Sequence, residues 1–172
     1  MPIVKSHIQN LWEDHFLSFR NLNEIFSLAI RNITEKVDGQ FLSVRYSDGS
    51  LKVARNNSHV EKNGIFVEEL QQSKAHKDYL PKEVMETFSE ACKQLENVVK
   101  LAPKNLVNEV FNNHWFSFDI LYKGNPNVIQ YNENCIVFHD DNSENFKELS
   151  NNLTEFQKYT SWKLVPSIPI MN

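Results

Sequence analysis

The chain has 172 residues, 41% of them hydrophobic, enough for one domain with a sizeable core. Its net charge of −4 excludes a globally basic nucleic-acid binder while leaving room for a local basic groove. Its two cysteines, Cys92 and Cys135, form no CxxC pair and no His/Cys cluster, which argues against zinc or a disulfide framework, and no run approaches the roughly 20 apolar residues of a membrane span.

Ser6 can cap a helix over about 7–19, with Ile8, Leu11, Trp12, Phe16 and Phe19 on one side. A second helix is predicted over about 22–31, striped by Ile25, Phe26, Ala29 and Ile30. These make residues 1–32 an N-terminal helical segment packed on a domain of residues 33–172. Residues 33–37, 40–47 and 50–55 then read as strands, with Ser47-Asp48-Gly49-Ser50 as a hairpin turn. Residues 56–59 and 61–64 read as loop.

Pro81 suits the first turn of a long helix, about 81–101, with Val84, Phe88, Ala91, Leu95 and Val98 at apolar spacing. Pro103 starts a short helix, about 103–112. Three strands are predicted next, Trp115–Tyr122, Asn127–Tyr131 and Cys135–His139. Ser143 can cap a helix of about 144–159, and an extended piece over 162–170 with Pro166 and Pro169 suits an edge strand. Helices and hairpins are mixed rather than alternating, so the fold class is α+β, with antiparallel sheets flanked by helices.

Four short elements carry chemistry. Lys36-Val37-Asp38-Gly39 lies between β-prone runs and can place a lysine amine at a strand end. An amine attacks phosphorus only when deprotonated, and the reference lysine pKa of about 10.4 must be lowered by desolvation or a nearby cation. Asp38 cannot do this, because a carboxylate favours the ammonium; Gly39 lets the backbone pass close to a ligand. A surface lysine followed by a plain turn is the alternative. Ala54-Arg55-Asn56 follows the hairpin, so Arg55 returns to the same edge of the sheet, where a guanidinium can grip phosphate.

In Phe116-Ser117-Phe118-Asp119-Ile120-Leu121-Tyr122, alternation puts Phe116, Phe118, Ile120 and Tyr122 on one face and Ser117, Asp119 and Leu121 on the other. Asp119, a charge within an apolar strand, can bind a ribose hydroxyl or Mg²⁺, or simply face water. In Ile136-Val137-Phe138-His139-Asp140, Phe138 is either core or a base-stacking ring, and His139 can contact phosphate or orient a carboxylate.

In order and type these elements resemble the covalent nucleotidyltransferase superfamily of ATP-dependent DNA ligases, RNA ligases and mRNA capping enzymes. Lys36 to Gly39 resembles the nucleophile motif and Ala54-Arg55-Asn56 the arginine motif that follows it. Asp119 falls where the family has a ribose-contacting glutamate, and Phe138 where an aromatic ring packs on the base. The chain is also similar, over nearly its whole length, to an uncharacterised group of tailed-phage proteins with a ligase-like domain. That likeness rests on His7 with Leu11-Trp12-Glu13-Asp14, Glu35 to Gln40, Ala54-Arg55-Asn56, Asn125 to Tyr131, and an apolar triplet ending in His139.

The resemblance implies a ligase-like (ATP-grasp-like) domain in which Lys36 forms a lysyl-N-AMP adduct with ATP for nucleic-acid end joining. Thr34 and Glu35 would lie near the base, Asp38 and Asp119 near the ribose or Mg²⁺, with Asp119 the metal ligand, and Gly39 where the backbone passes close to the nucleotide. Arg55 would lie near phosphate or the nucleic-acid end and Phe138 on adenine. It also implies ATP and Mg²⁺ as cofactors, RNA or DNA ends as partners, no membrane, and a cytoplasmic location, the host's if phage-encoded. Phe41 stands where many DNA ligases have arginine, which places the chain nearer the RNA ligases. The acidic-glycine strand and the paired-lysine strand of the family are absent, and Trp162-Lys163-Leu164-Val165-Pro166 does not replace the latter. An enzyme therefore requires a C-terminal part from another segment or chain. The alternative is a truncated or degenerate fold that binds nucleotide or a protein partner without catalysis.

Overall fold

The structure, a computed structural model, describes residues 39–72, 82–111, 113–123 and 131–167. The predicted helices over 7–19 and 22–31, the strand over 33–37, and most of the strand Asn127–Tyr131 lie outside the described residues; Tyr131 itself is not in a strand. So do Thr34, Glu35, Lys36 and Asp38.

Among the described residues, five strands form one sheet: β1 (Gln40–Ser47), β2 (Ser50–Ala54), β3 (Trp115–Leu121), β4 (Cys135–Phe138) and β5 (Lys163–Pro166), in the order β2-β1-β3-β4-β5. The β1–β2 hairpin turns through Asp48 and Gly49 at φ 51° and 76°, as a tight Asp-Gly turn requires. Pairings within β2-β1-β3-β4 are antiparallel, but β4 and β5 run parallel. The expected antiparallel sheets are thus corrected to one mixed sheet. Parallel pairing follows from the helical crossover: α5 (Glu144–Phe156) and a 3₁₀ turn (Gln157–Tyr159) separate β4 from β5.

The α+β class holds, and the described helices gather on one side of the sheet. Asn56 caps α1 (Asn57–Glu61) by accepting from the His59 amide, where loop is predicted. A second short helix, α2 (Val67–Gln72), precedes α3 (Lys82–Leu101) and α4 (Lys104–Phe111). Along α3, Val84, Phe88, Ala91, Leu95 and Val98 are buried at helical spacing, and Lys82–Glu86 and Glu96–Lys100 pair on its outer side. The predicted cap of α5 is present: Ser143 Oγ accepts from the Phe146 amide at 3.0 Å.

Strand register sorts the side chains. Leu42, Val44, Val53, Phe116, Phe118, Ile120, Ile136 and Phe138 share the face that joins the helices in one core. Phe41, Ser43, Ser117, Asp119, Leu121, Cys135, Val137 and Val165 share the other, and Cys135 and Val137, though buried, stand outside that core. The alternation read from β3 is therefore correct. Gln94 of α3 accepts from Thr160 Oγ1 and the Ser161 amide, and Gln157 accepts from the Leu164 amide while donating to the Trp162 carbonyl. These two amide side chains dock β5 at the sheet edge.

Candidate functional site on the sheet face opposite the described helices

Asp119 sits in mid-β3, flanked in register by Phe41 of β1 and Val137 of β4. One residue beyond β4, His139 is held by its amide, which donates to the Ser117 carbonyl at 2.8 Å. Its Nε2 then meets Asp119 Oδ2 at 2.8 Å, and its ring lies 5.9 Å from that of Phe41. Alongside, Ser43 and Ser117 hydroxyls pair at 2.9 Å. Three strands thus place a carboxylate, an imidazole and two hydroxyls on one face. With Nε2 engaged by Asp119, the imidazole's chemistry toward a ligand rests on Nδ1.

Gly39 leads into β1 beside this group. A side-chain carbon there would lie 2.7 Å from Asp119 Cβ and 2.9 Å from Leu121 Cδ2. Only glycine permits this approach, so the Lys-Val-Asp-Gly motif ends directly against Asp119. Leu121 in turn opens onto a cavity of about 520 Å³ on the same face, floored by Cys135, Val137 and Val165 and rimmed by Tyr131, Glu133 and Lys163. The size falls within the range of small-molecule sites. Lys163 reaches Glu133 at 3.8 Å across this rim. Burial raises the Cys135 thiol to about 11, Lys163 opposing and Glu133 adding to the shift. It is therefore a wall of the cavity rather than a nucleophile.

Two predicted residues fall elsewhere. Arg55 returns to the Gly39 end of the sheet, as the hairpin demands, but turns toward the helices. Its guanidinium carbon lies 4.9 Å from the ring centre of Phe88, a fully buried residue of α3. Desolvation lowers its pKa, and Nη1 is buried without a hydrogen-bond partner among the described residues. Asp119 and Arg55 thus occupy opposite sides of the sheet. Phe138 likewise lies in the core on the side of the described helices. It is 1% exposed, opposite Phe118 in register, and packs edge-on against Phe116 and Phe118. No ring face is left for a base. Val137, not Phe138, shares the face of Asp119.

The described residues contain no group of three or more His, Cys, Asp or Glu able to hold a metal. Asp119 stands as a single carboxylate already engaged by His139, which does not build a protein-only Mg²⁺ site. No described helix is long and apolar enough to cross a membrane.

What sequence reading missed is the cavity and its rim. Lys163 and Val165 alternate onto the cavity-facing side only because β5 pairs parallel with β4, a pairing that four residues do not announce. No known protein family, curated protein or solved structure matches this chain.

Proposed function

We propose that the chain is a ligase-like nucleotidyltransferase domain that takes ATP on the sheet face opposite the described helices and forms a lysyl-N-AMP adduct at Lys36. The observation that carries this reading is the contact of Gly39 with Asp119 and Leu121 at the margin of the cavity. Lys36 is tied to that margin by three peptide units. Asp119, oriented by His139, serves the ribose, and Lys163 is the cation among the described cavity residues that suits phosphate. Thr34, Glu35 and Asp38 keep the nucleotide-side roles that their neighbourhood to Lys36 implies. Arg55 and Phe138 take no part.

In the adenylylation step the neutral Lys36 amine attacks the α-phosphorus. A P–N bond forms, the P–O bond to pyrophosphate breaks, and pyrophosphate leaves with the electron pair while the amine's proton passes to solvent. Mg²⁺ bound with the nucleotide would supply charge neutralisation, and Asp119 would be at most one protein ligand to it. Transfer of AMP to a 5′-phosphorylated RNA or DNA end follows in a complete ligase. Phe41, beside His139 rather than an arginine there, favours the RNA-ligase-like side.

A second reading, a fold that binds nucleotide without catalysis, is favoured by the placement of Arg55 against Phe88, which removes one cation from the site. Incubation with ATP labelled at the α-phosphate separates the two. Covalent label on the wild type that is absent from Lys36→Ala supports adenylylation. Calorimetric ATP binding without label supports the second reading, and neither binding nor label removes both.

A further inference from the structure

Toward the hairpin, the sheet face opposite the described helices carries a different set of side chains. Arg45 of β1 stands in direct register with Lys52 of β2 on one side and Trp115 of β3 on the other. Like charges directly opposite across a strand pair are unfavourable. Here no carboxylate lies within ion-pair distance of either cation among the described residues. Each cation instead rests on an aromatic ring: the Arg45 guanidinium carbon 5.2 Å from the Trp115 ring centre, and Lys52 Nζ 3.2 Å from that of Phe66.

Arg45 also donates to the Asn63 side chain, which aims its guanidinium, while its Nε is buried without a hydrogen-bond partner among the described residues. Phe66 is 45% exposed, one of the two large apolar side chains so exposed among the described residues. Its backbone amide donates to Glu69 Oε2 at 2.8 Å, which fixes the ring's base. The result is a row of cation, cation and two rings on a protein whose net charge is −4. The chain's overall field repels polyanions, so an attraction must come from such a local row.

We propose that the Lys52–Arg45–Trp115 row, with Phe66 at its end, is a binding surface for single-stranded nucleic acid. The two cations take backbone phosphates, and the exposed Phe66 ring takes an unpaired base. A duplex keeps its bases stacked inside and cannot use Phe66, so the row selects single strands. These residues are separate from the cavity and from Lys36, so binding here neither requires nor establishes adenylylation.

The test is fluorescence anisotropy of a labelled, unstructured single-stranded oligonucleotide with the full chain, in the absence of ATP and over a range of salt concentrations. Wild type binds, and the slope of log affinity against log salt loses about 0.7 for each cation removed, in Lys52→Gln and in Arg45→Gln. Phe66→Ala weakens binding about fivefold or more with the salt slope unchanged, which a purely structural role would not produce. Lys52 and Phe66 are peripheral, so unchanged melting of their variants keeps the result interpretable if Arg45→Gln unfolds. Absence of binding by wild type, equal binding by the Lys52 and Phe66 variants, or preference for duplex of the same sequence would overturn the proposal. None of these outcomes bears on covalent labelling at Lys36.

Discussion

Asp119 and His139 form a 2.8 Å pair on the sheet face away from the helices. Asp119 is 9% exposed, so the imidazole is what satisfies a largely buried carboxylate. His139→Ala should destabilise the protein by about 1–3 kcal/mol in chemical denaturation, because an acceptor is left unpaired. Asp119→Asn, which retains an acceptor for the imidazole, should cost less. Equal midpoints for His139→Ala and wild type would show that the pair contributes nothing to folding.

Gly39 tests whether the motif and Asp119 form one unit. Gly39→Ala places a carbon 2.7 Å from Asp119 Cβ and 2.9 Å from Leu121 Cδ2, so β1 and β3 must separate locally. The expected cost is about 1–3 kcal/mol of stability. Under the proposed function, calorimetric ATP affinity should fall as well, at temperatures where the variant remains folded. Unimpaired ATP binding in Gly39→Ala would detach the motif from the cavity.

Phe138 separates a base-stacking ring from a core ring. Phe138→Leu, apolar and of smaller volume, should lower the melting temperature yet leave ATP affinity unchanged. Phe138→Ala should cost about 3–5 kcal/mol, the penalty of truncating a buried phenylalanine. A loss of ATP affinity in a folded Phe138→Leu protein would return the ring to the site.

Much of the fold was legible because its signals are local. The Asp48-Gly49 turn set the β1–β2 register, the spacing from Val84 to Val98 set α3, and Ser143 marked the start of α5. The parallel β4–β5 pairing was not, since four-residue strands carry no sign of direction. For Arg55 the signal was present. It shares the parity of Val53, which faces the helices, but a guanidinium is expected in water and its packing on Phe88 is a tertiary choice. Phe138 turned on cross-strand register, which puts it opposite Phe118 rather than beside Asp119. The Arg45–Lys52 pairing followed from the hairpin register and was there to be read; Phe66 and Trp115 joined it only through the fold.

Asp141 contributes to stability in a pH-dependent way. Burial alone would raise its carboxyl, but hydrogen bonds from Ser143 and from His114, 2.6 Å away, outweigh it and lower the pKa. The folded carboxyl therefore ionises more readily than the unfolded one. Its stabilisation is fully present above about pH 4 and is lost as pH falls through the lowered folded value. Asp141→Asn should be less stable than wild type at neutral pH, with the gap closing toward low pH in denaturation series. A gap that does not change with pH would mean that this linkage is absent.

The most direct measurement is peptide mass spectrometry of the full chain after incubation with ATP and Mg²⁺. The account predicts one AMP adduct, on the peptide containing Lys36, abolished in Lys36→Ala and reduced in Asp119→Asn. An unmodified Lys36 peptide, or an adduct on another lysine that persists in Lys36→Ala, would contradict it.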